Sequence, residues 1–369
     1  MPLLLMAPLV TTLMHGLSVQ PQPRRFAPDS AWEYRWVAGS DPEAELFIEP
    51  RQLVAIGTRV VVLDAGTRDV HLLDAASGRT LRRLPARGTG PGEFKRPSLL
   101  LAAPDGFAIL DQAAARMTAF SRDGKPAWDF SVPDAARLAG ACIPGGDRVL
   151  LSYRRSGHSL SIMDTSGRPV PSEKTRHIPW RTLRPDGPDF AHEHRLGPPG
   201  SDGRCAVIPI FGGEWAMAGP LPQPPTVHRF AEPGELPRIR QARRILERTA
   251  THVIMEGAET SSTRPVAADV MRRGDTVLVV ATPVHAPNRR VLDYYEASTG
   301  RYLHSRRLPA LFTAIALGPD GTFYAAHIGE RTQVVAALRP TRRVSPPVRR
   351  EGRRAPPPPS PPARFPAIR

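Results

Sequence analysis

Lysine is nearly missing from this chain: Lys95, Lys125 and Lys174 are three among 50 basic residues. GC-rich codons encode Arg and AT-rich ones Lys, so this bias suits a GC-rich coding sequence. The net charge of +15 is therefore no sign by itself of a nucleic-acid partner. Its distribution argues the same way. Residues 340–369 hold eight Arg against the single acid Glu351, which leaves +8 for the other 339 residues. Aromatics make up only 6% of the chain, and its basic residues are not interleaved with them as a nucleic-acid-binding domain requires.

Other absences narrow the chemistry. The two cysteines, Cys142 and Cys205, lie 63 residues apart with no CxxC spacing and no nearby His set, which argues against a zinc site. Two readings of them stay open: buried thiols, or a bridge between neighbouring units in an oxidising compartment. Beyond the N-terminus no apolar run reaches the ~20 residues that a membrane-spanning helix needs. There is no GxSxG nucleophile elbow, and Arg155-Ser156-Gly157-His158 reads as a polar hairpin connection.

What the chain does have is a recurring strand grammar. Val60–Asp64 is followed by a second run ending at Asp74 and a turn at Ser77-Gly78-Arg79. Phe107–Asp111 is followed by a run ending at Ser121 and a turn at Asp123-Gly124-Lys125. Tight turns precede the second strand of each unit, as at Pro104-Asp105-Gly106 and Pro319-Asp320-Gly321. There Pro presets φ and Gly supplies positive φ for a hairpin. The second strands begin at 60, 107, 149, 277 and 323, so three of four intervals are 42–47 residues. Repetition at that period marks a repeat protein whose units cannot bury their own faces alone.

The fold expected is an all-β six-bladed β-propeller over 31–339, with an inserted helix before blade five. The 128-residue interval must hold blade four (Cys205–Phe211, Glu214–Ala218, Val227–Phe230) plus that insertion, or else two blades; one blade with an inserted helix fits better than a seventh blade. Ile239, Ala242, Ile245, Leu246, Thr249 and Val253 fall at helical spacing, which predicts the helix over 237–256. Arg240, Arg243, Arg244 and Arg248 would form its solvated face. The last repeat, 311–339, has three strands, and Trp32–Val37 is an isolated aromatic-rich strand that can complete it. Ten prolines from Pro340 onward predict a disordered basic tail over 340–369. Residues 1–30 read as a signal or linker segment: Met1–Met14 is an apolar stretch of secretory length, although the first basic residue is Arg24. The expected localisation is secreted or periplasmic.

The most specific string is Gly88-Thr89-Gly90-Pro91-Gly92-Glu93-Phe94. Pro91 removes an amide donor, no Lys-Ser/Thr follows, and a strand comes next, so it reads as an interblade linker rather than a phosphate loop. It resembles the GxGPGEF-type linker of the bacterial six-bladed propeller family related to NHL-repeat proteins. That resemblance covers 45–340 in organisation and 55–130 in motif. It implies the fold and an exported setting more than a reaction.

Candidate ligands for chemistry are few. His192-Glu193-His194 could bind one metal if strand geometry put both imidazoles on one face, or it is a polar loop among prolines and glycines. A metal-dependent propeller hydrolase or lyase would draw on Asp64, Asp111, Asp164, Asp293, His285 and His327 at the pore, with Ca or Zn as the ion. Asp64 and Asp111 occupy equivalent repeat positions, which suits turn capping better. The reading favoured is a non-catalytic exported protein without a cofactor. It would bind a protein or small ligand through its blade-end loops, with nucleic acid contacted only non-specifically by the tail.

Overall fold

The computed structural model describes residues 24–27, 31–39, 47–84, 88, 90, 92–145, 147–154, 159–170, 175–180, 194–219, 223–232, 239–241, 244–248, 253–256, 259–260, 267–283, 290–328 and 333–341. Expectations for 1–23 and 342–369, the signal and the basic tail, lie outside them.

Six four-stranded antiparallel sheets follow one another along the chain. After strand β1 (Ala31–Ala38), blade one is β2 (Pro50–Ile56), β3 (Arg59–Asp64), β4 (Asp69–Asp74) and β5 (Thr80–Leu84). Blade two is β6 (Pro97–Ala103), β7 (Gly106–Asp111), β8 (Arg116–Ser121) and β9 (Pro126–Ser131). Blade three is β10 (Leu138–Gly145), β11 (Arg148–Tyr153), β12 (Ser159–Asp164) and β13 (Thr175–His177). Blade four is β14 (His194–Leu196), β15 (Cys205–Pro209), β16 (Glu214–Ala218) and β17 (Thr226–Arg229).

An arm follows: β18 (Ile239–Gln241), β19 (Arg244–Arg248), β20 (Val253–Glu256) and β21 (Glu259–Thr260). Blade five is β22 (Ala267–Arg273), β23 (Thr276–Ala281), β24 (Val291–Glu296) and β25 (Tyr302–Arg307). Blade six is β26 (Ala314–Leu317), β27 (Phe323–Ile328) and β28 (Gln333–Thr341), completed on its outer edge by β1.

The first strands of successive blades touch in a closed cycle, from β2 through β6, β10, β14, β22 and β26 back to β2. The missing strand of blade six comes from the N-terminus: Trp32 pairs with Pro340 and Tyr34 with Leu338. One sheet thus joins both ends of the chain, and the last strand runs two residues past the expected boundary of 339.

Period-2 alternation explains why the ring holds. Val60 and Val62 pack toward blade six, whereas Val61 and Leu63 pack toward blade two. The same sharing gives six interblade cores, one at each junction. Strands buried on both faces read as continuous apolar runs, which is why the second strands were legible in the sequence.

The helix expected over 237–256 is replaced by β structure. Ile239 pairs with Thr260, Arg244 with Glu256, Ile245 with Met255 and Arg248 with Val253, which makes one interrupted antiparallel ribbon. Its apolar spacing is short enough to serve either period, and β-branched Ile245, Val253 and Ile254 favour the strand. The two cysteines are joined: a Cys142–Cys205 disulfide ties the first strand of blade three to the second of blade four, with Cα atoms 6.5 Å apart.

The Gly88–Phe94 string forms the connector from blade one to blade two. The Glu93 carboxylate folds back to accept the Gly90 N–H at 2.9 Å, and a Cβ on Gly88 would meet its Oε2 at 1.7 Å. Phe94 is buried between the blades against Phe120, while Arg116 donates to the Gly90 and Glu93 carbonyls. Among the described residues of the string, Gly88, Gly90, Glu93 and Phe94 each serve the turn or its packing.

Candidate functional site

Four of the six first strands carry a β-bulge at the same place, at Pro50/Gln52, Pro97/Leu99, Leu138/Gly140 and Ala267/Asp269. A bulge sets two residues opposite one and re-aims both. Here the re-aimed pairs Arg51 and Gln52, Ser98 and Leu99, Ala139 and Gly140, and Ala268 and Asp269 all line one cavity of about 760 Å³. The cavity opens at the starts of the first strands, on the face that carries the interblade connectors. Side chains from all six blades reach it, Thr313 representing blade six.

A smaller chamber of about 340 Å³ lies toward the ends of the same strands. The two share Leu53, Leu100, Leu101, Ala141, Leu196 and Asp269 as lining. The channel therefore has a waist whose wall, among the described residues, is apolar except for one carboxylate. Small residues make room at this level. A Cβ on Gly140 would meet Leu196 at 2.9 Å and the His194 carbonyl at 3.2 Å, so blades three and four approach closely only with glycine there.

The mouth above the waist is basic. Among the described residues, Arg51, Arg68, Arg96, Arg154 and Arg195 line it, against the two acids Glu49 and Asp269. Arg51 donates to Glu49 at 2.8 Å from Nε. The guanidinium groups of Arg68 and Arg96 are exposed and form no ion pair among the described residues. Arg68 holds its position with φ at 64° in the turn after β3, and Ala115 does the same at 48° in blade two, so this backbone serves the turn.

Asp269 is surrounded by protein at the waist yet reaches the channel. Burial raises its carboxyl above the usual range, opposed by hydrogen bonds from the Val270 and Ile315 amides and by the Arg195 charge. Its Oδ2 accepts the Ile315 N–H at 3.3 Å, linking blade five to blade six. Gln52 does the equivalent between blades one and two, donating to the Ser98 carbonyl at 3.1 Å and accepting the Leu100 N–H.

The residues singled out from sequence lie elsewhere. Asp64 accepts the amides of Ile48 at 2.7 Å, Glu49 at 2.8 Å, Gly66 at 2.9 Å and Thr67 at 3.3 Å. Asp111 accepts those of Lys95, Arg96, Ala113 and Ala114, the same four offsets one repeat on. Both buried carboxylates tie an incoming connector to an outgoing turn, a capping task with all oxygens occupied by amides. Asp164 caps the exposed turn at Ser166.

Asp293 is paired with Arg24, His327 Nδ1 meets the Leu311 carbonyl at 2.8 Å, and His194 is buried at the start of β14, stacked on Trp180. His194 is thus a strand residue rather than part of a polar loop; His192 and His285 lie outside the described residues. None of the described candidates lines either chamber. Among the described residues no group of three or more His, Cys, Asp or Glu is gathered to hold a metal ion.

What the sequence reading missed is the arginine mouth and Asp269. Their signal was present: a charged or polar residue interrupts otherwise apolar first strands at Arg51-Gln52 and Asp269. Without the ring, these positions could not be told from solvated ends.

No protein-family model matches the chain, and no curated protein is similar to it in sequence. Among solved structures, the chain is similar to U3-55K, with a TM-score of 0.52, 12% identity, and coverage of 86% of this chain and 100% of that one. It is also similar to a member of the DUF4221 family from Bacteroides vulgatus ATCC 8482, with a TM-score of 0.52, 9% identity, and coverage of 85% and 99%. A candidate exported protein from Bacteroides fragilis NCTC 9343 gives a TM-score of 0.51 at 8% identity, covering 87% and 99%. Identities this low speak for the propeller fold alone.

Proposed function

We propose that this chain is a non-catalytic, exported binding propeller that takes its ligand or partner segment at the connector-face mouth of the central channel. The observation that carries the reading is the cavity of about 760 Å³ walled by all six blades, a size typical of ligand sites. Its two carboxylates are already engaged, Glu49 by Arg51 and Asp269 by backbone amides, which favours holding over turnover. The disulfide between blades three and four supports an oxidising compartment and hence export. The Gly88–Phe94 connector supports kinship with the NHL-type six-bladed propellers.

The test is hydrogen exchange on the full chain, with and without an extract of the culture medium. Protection is expected at 49–52 and 95–101, and it should vanish in Ala268→Trp, which fills the mouth. Protection confined to the arm or to the basic tail would refute the reading. So would turnover of lactone or cyclic-ester substrates on adding Ca²⁺ or Zn²⁺.

A further inference from the structure

We infer that the mouth of the channel is an anion site, built for a small molecule or chain end bearing two or more carboxylate or phosphate groups, with Asp269 as the stop that fixes its depth. The inference rests on the mouth being the binding site and adds the chemistry of what binds there. Among the described residues, five guanidinium groups against two carboxylates line one concave space. Like charges gathered around a cavity with low-dielectric walls repel one another, and an anion relieves that repulsion.

Guanidinium forks match carboxylate and phosphate oxygens two at a time, which a ring of solvated surface arginines pointing apart could not use. Arg51 is already bridged to Glu49, which leaves the exposed pair Arg68 and Arg96 from one side of the ring. Arg154 and Arg195 face them from blades three and four. The bulges turn the residues below these arginines into the same space, so the funnel narrows onto the waist rather than closing above it.

At the waist the chemistry reverses. Leu53, Leu100, Leu101, Ala141 and Leu196 offer an anion nothing, and Asp269 repels it. The burial that disfavours the charged form of Asp269 is opposed by Arg195, so a ligand that draws Arg195 away would make that charge harder to hold. An anion is thereby admitted to the arginines and refused the lower chamber. This arrangement predicts opposite effects for two kinds of substitution, a pattern that general damage to the fold cannot mimic.

The experiment is calorimetric titration of the full chain with citrate and with pyrophosphate, and with glucose and choline as neutral and cationic probes. One anion or the other should bind at one site per chain, which separates a carboxylate source from a phosphate source. The triple variant Arg68→Gln, Arg96→Gln, Arg154→Gln should weaken binding at least ~10-fold, as loss of charge-assisted contacts requires. Asp269→Asn should tighten it by roughly threefold or more, and raising the salt concentration should weaken it. An unchanged melting temperature of the triple variant would show that these three exposed arginines do not act through stability.

Anion binding that survives the triple variant, as binding to the basic tail would, overturns the inference, and so does absence of anion binding. If glucose or choline binds and Ala268→Trp blocks it, the anion chemistry falls while the mouth stands as the binding site.

Discussion

Arg24 offers the sharpest test of how the ring is secured, because it precedes every blade yet is buried within one. The segment Arg24–Ala27 lies along the outer edge of β25: the Ser305 N–H donates to the Arg25 carbonyl and the Ala27 N–H to the Ser305 carbonyl, both at 2.9 Å. Arg24 drives its guanidinium into blade five, donating to Asp293 Oδ1 at 3.0 Å and Oδ2 at 2.9 and 3.2 Å, and it also pairs with Glu232. Its side chain is 7% exposed and that of Asp293 is 2% exposed. Phe26 adds a ring contact under the Arg307 guanidinium, 4.5 Å from the ring centroid.

Arg24→Met keeps the apolar stem and removes the charge, leaving Asp293 buried with, among the described residues, only the Ser305 hydroxyl donating to it. Breaking a buried pair by removing one partner costs about 3–5 kcal/mol. With Ser305 still in place, the lower end, about 3 kcal/mol, is expected. For a chain of this size that corresponds to a fall in melting temperature of roughly 6 °C. The assay is thermal unfolding of the full chain, combined with hydrogen exchange at β25.

The exchange arm should show Ser305 losing protection before the inner strands do, because the docked segment covers that edge. The double variant Arg24→Met, Asp293→Asn should recover more than half of the loss, since no buried charge is then stranded. A single variant within about 1 kcal/mol of the parent would refute the reasoning. A double variant less stable than the single one would refute it as well.

Other expected outcomes follow from the same geometry. Reducing the Cys142–Cys205 bridge, or replacing both cysteines by Ala, should lower stability by about 4 kcal/mol in urea titrations, given the 63-residue separation it closes. Asp64→Ala strands four backbone amides and should cost about 4 kcal/mol or more, whereas Asp64→Asn should retain part of that; denaturant midpoints check both. The raised carboxyl of Asp269 means that the native state holds a proton more tightly than the unfolded chain does. Its contribution to stability therefore falls as pH climbs through and above the ordinary aspartate range. Asp269→Asn should remove that slope, gaining on the parent between acidic and neutral pH, as a pH series of urea titrations would read.

The repeat, its period, the strand ends at Asp64 and Asp111, and the spare N-terminal strand were legible because they are local. Apolar runs bounded by Gly turns state their own pairing, and a strand buried on both faces shows itself by an unbroken apolar stretch. The period left the count between six and seven, because the 128-residue interval could hold one blade with an insertion or two blades; the six sheets of the ring decide it.

Three things needed the tertiary structure. The arm at 239–260 satisfies helical and strand periods over too few residues for sequence to separate them, and only its pairing partner chooses. Whether Cys142 and Cys205 meet depends on how far apart two neighbouring blades stand, which no spacing encodes. The charge at Arg51, Arg68, Arg96, Arg154 and Arg195 is spread over 145 positions and looks like solvated surface until ring closure gathers it around one mouth. Local sequence sets what each strand can bury, whereas the closing of the torus sets which of the remaining polar groups face one another.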